Sequence, residues 1–271
     1  MIRFFLCLLI AVSPSVVFSD DTGLKRLTQR DDLFGWEAVG RVDISGKGTC
    51  TGALIAKNLV LTAAHCLVDD KAVNPSRITF RAGYRDGESL AERQISRLVL
   101  HPAYDLSLIQ PRRDPLYDVA LLELDQPISI GLADPYLVEY PSRNAKTISV
   151  VSYARDRNEA LSWQRRCSVL GRRDGLIAFN CDVYYGSSGA PVFELKNERL
   201  RVVSIVSRGT RDERGVIAIG MELPEVVEDL KRAFRTGQGV VTTDRLAQPV
   251  SRTPNRGLPQ SNGSGAKFLK P

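Results

Sequence analysis

The sequence predicts an all-β fold closed by a single C-terminal helix. Between residues 36 and 223, short runs rich in β-branched and apolar residues alternate with Gly, Pro, Asn and Asp. Within that region only a turn around Ala63–Cys66 departs from the strand pattern. Directly after it, Pro224–Phe234 takes up a helical period.

The strands expected, in order, are Ala38–Ile44, Ala53–Leu61, Arg77–Ala82, Ile95–Leu100, Val119–Leu124, Thr147–Tyr153, Leu176–Asn180, Pro191–Phe193, Leu200–Val206 and Gly215–Met221. So many short strands describe a barrel or a sandwich, with enough chain for two small barrels, and periodicity alone leaves these open. The helix that follows has Pro224 in its first turn, acids early and bases late. Residues 226, 227, 230, 233 and 234 form one apolar face that should pack on the body.

The ends of the 271-residue chain read differently. Arg3, the apolar run Phe4–Val12 and the small-residue ending Val17-Phe18-Ser19 form an export signal over residues 1–19. That run is too short to span a bilayer, which needs about 20 apolar residues. Residues 20–33 are either a short pro-segment or an N-terminal arm. From Gly237 to Pro271 the chain holds five Gly and four Pro among polar residues, the composition of a flexible tail. Most of the net charge of +6 belongs to that tail, through Arg245, Arg252, Arg256, Lys267 and Lys270 against Asp244. The body is nearly neutral, so nothing marks a nucleic-acid-binding face.

Five cysteines become four once Cys7 leaves with the signal. An even number in an exported chain points to two disulfides, with three pairings open. Local pairing, Cys50 with Cys66 and Cys167 with Cys181, is the economical one. Each bridge would close a loop of about 15 residues, worth about 3 kcal/mol in the chain-entropy model. Metal-knuckle spacing is absent and only His65 and His101 occur, so no metal site is expected.

Chemistry concentrates in three blocks. Leu59-Val60-Leu61-Thr62-Ala63-Ala64-His65-Cys66 places an imidazole at a strand end beside a cysteine. Tyr117-Asp118-Val119-Ala120-Leu121-Leu122 opens an apolar strand with a carboxylate able to orient a histidine. Gly186-Ser187-Ser188-Gly189-Ala190-Pro191 exposes a serine hydroxyl and turns successive backbone N–H groups into one cavity.

Together with Thr49-Cys50-Thr51-Gly52-Ala53-Leu54-Ile55, His101-Pro102-Ala103-Tyr104 and Ser204-Ile205-Val206-Ser207-Arg208-Gly209, these blocks resemble the chymotrypsin/trypsin-like serine proteases. The closer likeness is to the secreted bacterial branch related to glutamyl endopeptidases. The resemblance covers roughly residues 36 to 223. It implies two six-stranded antiparallel β-barrels, over 34–130 and over 131–236 with the C-terminal helix, and a link near 125–140. It also implies a catalytic triad of His65, Asp118 and Ser188, with an oxyanion hole made by the N–H groups of Gly186 and Ser188. Such a site hydrolyses peptide bonds through an acyl-enzyme, with no metal or organic cofactor. Ser187 and Asp114 are the rivals to Ser188 and Asp118, and His101 before Pro102 reads as structural.

By position, Asp182 matches the pocket-floor acid that selects Arg or Lys, with Ser207, Gly209 and Gly215 along the pocket; the alternative is that Asp182 serves loop structure. Val206 and Val183 depart from the pocket of glutamyl endopeptidases, which argues against cleavage after Glu. Ser187 stands where many animal relatives carry the aspartate that binds a newly cut N-terminus. The chain is expected to be a secreted or periplasmic monomer acting on proteins or peptides, without lasting membrane association after signal cleavage. The other class in view is a protease-like scaffold kept for binding, without turnover.

Overall fold

The computed structural model describes residues 23–69, 71–108, 114–213 and 215–243. The export signal expected over 1–19, the start of the N-terminal segment and residues 244–271 of the expected tail lie outside the described residues.

A short strand β1 (Leu24–Arg26) leads into six strands that close on themselves: β2 (Val39–Ile44), β3 (Gly48–Ala56), β4 (Leu59–Thr62), β5 (Ile78–Ala82), β6 (Ala91–Leu100) and β7 (Ala120–Leu124). They run in the order β6-β5-β2-β3-β4-β7, and β7 pairs back onto β6 to complete an antiparallel barrel. Alternate residues such as Val42, Leu54, Val60, Ile78, Phe80, Leu98 and Leu122 share one face of the wall and are fully buried. The sequence reads Ala53–Leu61 as one run, but Lys57 and Asn58 form a turn, and the two halves pair as a hairpin. Both sides of that hairpin are apolar, which hides the turn in the hydrophobic pattern.

The second half contains β8 (Leu137–Val138), β9 (Thr147–Ser152), β10 (Ser162–Arg173), β11 (Leu176–Phe179), β12 (Pro191–Lys196), β13 (Arg199–Ile205), β14 (Arg208–Asp212) and β15 (Gly215–Met221). Its strand order is β14-β15-β11-β10-β9-β12-β13-β8. The sheet curls, because β13 runs through Val206 and Ser207 straight into β14 at the opposite edge. There Ser207 N–H donates to Ile219 C=O at 3.0 Å. Ile148, Val150, Ile177, Phe179, Val192, Val203 and Ala218 fill its interior. The all-β class with one helix holds, and both expected disulfides are present, Cys50–Cys66 and Cys167–Cys181.

The ends of the described chain cross over. Strand β1 adds to β10 in the second sheet, Leu27 N–H donates to Leu161 C=O at 2.8 Å, and Leu27 is buried. Residues 23–33 are thus an arm woven into the fold. The helix α1 (Leu223–Thr236), expected with the second barrel, sends Val226, Val227, Leu230 and Ala233 into the core shared with the first. Gly237 caps it in the left-handed conformation, with φ of 73°. Beyond it, β16 (Val241–Thr242) pairs with β6 and Val240 is buried. Residues 237–243 of the expected tail are therefore part of the fold, because two valines in a polar stretch find an open strand edge.

Ending the chain at Thr236 instead of Thr243 removes the cap, the Val240 contact and the β16 pairing. We expect a loss of about 2–4 kcal/mol from the buried valine and the cap, read as a melting temperature several degrees lower. Equal melting temperatures for the two chains would refute it.

Candidate active site

Each chemical block is held by local structure. His65 sits in a 3-10 turn, Ala64–Leu67, that follows β4, and Cys66 ties that turn to Cys50 on β3. Asp118 follows a second turn, Pro115–Tyr117, capped by the Asp114 carboxylate, which accepts from Leu116 N–H at 2.9 Å. Asp114 is thus occupied as a cap. Ser188 lies in the loop between Cys181 and β12, where Gly186 and Gly189 have φ of 97° and 77°. A Cβ on Gly189 would fall 2.3 Å from Thr62 Oγ1 and 2.8 Å from Ala63 N, so only glycine lets this loop lie against the chain leading to His65.

The three side chains meet. His65 Nδ1 is 2.7 Å from Asp118 Oδ2, and His65 Nε2 is 2.8 Å from Ser188 Oγ. With Nδ1–H donating to a carboxylate, Nε2 is the acceptor for the serine hydroxyl. Ser187, the rival, is fully buried with its Oγ 3.1 Å from Ser152 Oγ. Asp118 is 1% exposed and accepts two further hydrogen bonds, from His65 N–H to Oδ1 at 2.9 Å and from Ser207 Oγ–H to Oδ2 at 2.6 Å. Burial alone would push this carboxyl up. The charge of His65, with the bonds from its ring, from Ser207 and from its own N–H, outweighs burial and holds Asp118 below the usual carboxylate range.

Two cavities flank Ser188. One, of about 480 Å³, is lined by His65, Val183, Tyr184, Tyr185, Ser188 and the strand of residues 206–210. The other, of about 420 Å³, runs past the Cys50–Cys66 bridge to Arg155 and Gly186. Gly209 lines the first as expected, whereas Asp182 and Gly215 do not. Val183 Cγ2 lies 2.7 Å from where a Cβ on Gly209 would sit, so this valine packs against Gly209 in the wall of the cavity. The backbone of Asp182 is tied to neighbouring segments: its N–H donates to Gln164 Oε1 at 2.5 Å and its C=O accepts from Arg157. Gly215 supplies a φ of 120° where β15 leaves its hairpin with β14. Ser207 borders the cavity, but its hydroxyl serves Asp118. His101 is buried and stacks on Tyr117 at 4.9 Å, a packing role.

Sequence reasoning missed the Ser207–Asp118 bond and the part of Thr51. Thr51 Oγ1–H donates to Gly186 C=O at 2.9 Å and Thr51 N–H to Ser188 C=O at 2.9 Å. Thr51 stands in the Thr-Cys-Thr-Gly block, so a polar side chain on an otherwise apolar strand was the available signal.

Residues 34–224 match the family model described as Trypsin. The chain belongs to the trypsin family. Among similar proteins, the glutamyl endopeptidase of Bacillus licheniformis is 26% identical over 187 residues, covering 68% of this chain and 56% of its own. The venom peptide isomerase heavy chain of Agelenopsis aperta is 36% identical over 116 residues, 38% of this chain and 44% of that one. The chain thus spans about half the length of these relatives. A solved structure of a Glu endopeptidase superposes with a TM-score of 0.64 at 20% identity, over 80% of this chain and 99% of that one, and confirms the fold.

Replacing Ser207 by Ala tests the support of the buried carboxylate. Because Asp118 is held below its unfolded value, its stabilisation is complete above the ordinary carboxylate pKa of about 3.9 and is lost as pH falls through the lower folded value. Ser207→Ala should raise that folded value, cost about 1.5–3 kcal/mol at pH 7, and move the acid fall in melting temperature to higher pH. Superimposable melting curves from pH 7 to 2 would refute it.

Proposed function

We propose that this chain is an exported serine endopeptidase. The observation that carries the reading is the unbroken hydrogen-bonded line from Asp118 through His65 to Ser188 Oγ. His65 takes the proton as Ser188 Oγ attacks the carbonyl carbon, then returns it to the leaving amine. Asp118 keeps the imidazole in the right tautomer and balances its charge. The N–H groups of Gly186 and Ser188 donate to no described protein atom, which supports their taking the oxyanion. Export is supported by the two disulfides, which persist in oxidising compartments.

For the residue before the scissile bond, the expected preference for Arg or Lys has lost its footing, because no carboxylate lines the cavity bounded by Val183 and residues 206–210. Val183 and Val206 make its walls apolar and Arg208 adds positive charge. Val183 and Val206 argue against a glutamyl endopeptidase pocket, but with Arg208 and no carboxylate in the lining an acidic side chain suits it better than a basic one, in keeping with the name of the Bacillus licheniformis relative.

A fluorophosphonate should label Ser188, and Ser188→Ala should lose both the adduct and roughly a million-fold of turnover. Absence of any adduct on the purified protein would favour the binding scaffold without turnover. Profiling of a peptide library should show acidic residues before the cut bond favoured over Arg and Lys; the reverse order would overturn the pocket assignment.

A further inference from the structure

The loop carrying Ser188 is held from behind through its carbonyls. Tyr185 C=O accepts from Arg155 N–H at 2.6 Å, and Ser187 C=O accepts from Ala190 N–H at 2.9 Å. In a trans peptide the C=O and the following N–H point to opposite sides. Pinning Tyr185 C=O towards Arg155 therefore turns Gly186 N–H away from that segment, just as the Ser187 bond turns Ser188 N–H outward. Both residues are partly exposed beside the cleft.

The first of these two peptide planes is able to rotate. Gly186 has a φ of 97°, and glycine takes either sign of φ at little cost. Its α-carbon lies against the backbone of residues 153–154, where a Cβ would meet Ala154 Cα at 3.0 Å. What opposes rotation is Arg155, which acts twice. Its N–H holds the carbonyl, and its guanidinium carbon stands 4.7 Å from the centre of the Tyr185 ring. Tyr185 is 67% exposed, and its ring is held at the surface by this stack and by an edge contact with the Tyr184 ring, 5.1 Å away.

We propose that Arg155 is a positioning residue for the reaction, a surface latch on the Tyr185–Gly186 peptide that keeps the Gly186 N–H facing the oxyanion. This rests on the assignment of Ser188 as nucleophile. With the latch released, the plane rotates, one of two oxyanion donors is withdrawn, and the folded protein loses turnover while keeping its ground-state contacts. A cation–aromatic contact at an exposed site contributes modestly, whereas a missing oxyanion donor costs about 100–1,000-fold in turnover. The side chain and the backbone bond therefore predict effects of different size.

Two variants separate them. Arg155→Ala keeps the N–H and removes the stack; Arg155→Pro removes the N–H as well. With p-nitrophenyl acetate as substrate and phenylboronic acid as the probe that forms a tetrahedral adduct on Ser188, Arg155→Ala should lower kcat about threefold to tenfold. Boronate affinity should fall by a similar factor, with KM and melting temperature nearly unchanged. Arg155→Pro should approach the loss of a whole donor in both readouts. Arg155→Ala with wild-type kcat and boronate affinity overturns the latch, whatever the proline variant does. So does a loss of kcat that follows melting temperature while boronate affinity stays put. Failure of the unsubstituted protein to take a fluorophosphonate on Ser188 removes the nucleophile assignment and the latch together; normal labelling with an indifferent Arg155→Ala removes the latch alone.

Discussion

A carboxylate at 1% exposure is tolerable only when donors replace the water it gives up, and Asp118 has three. Two of them come from His65, on the first barrel, and one from Ser207, between strands of the second sheet. The bonds that keep Asp118 ionised thus also set the angle of the imidazole and fasten the two halves together. If the halves shifted apart, Asp118 would lose Ser207 and His65 Nε2 would lose Ser188 Oγ, which is 2.8 Å away. Burial, ionisation and alignment are one constraint. Gly189 is the steric condition for it, since any side chain there would hold the serine loop off Thr62 and Ala63.

The parts legible in the sequence are those where a short segment determines its own geometry. The turn before His65, the apolar strand after Asp118 and the glycine loop around Ser188 each carry their conformation in a few adjacent residues. The disulfides followed from the same locality. Strand β10 was missed because Ser162–Arg173 is mostly polar and exposed, with a burial pattern that does not alternate. It is a strand because β1, β9 and β11 all pair with it, a tertiary reason that leaves little mark on hydrophobicity.

The pocket shows the opposite failure. Position relative to Ser188 pointed to Asp182, but the shape of the slot is set by Val183 packing towards Gly209, a contact between residues far apart in the chain. Ser207 failed for a related reason. It lies beside the cavity, yet its hydroxyl turns to Asp118, and only the curl that brings the end of β13 close to the first barrel makes that bond available.

The crossed ends have a consequence for how the molecule withstands a cut in its chain. The leading segment straps onto the trailing sheet through β1, and the trailing segment straps onto the leading barrel through α1 and β16. A break in the connector after β7 would thus leave the two pieces bolted together from opposite directions. Proteolysis would have to breach more than one place before such a molecule came apart.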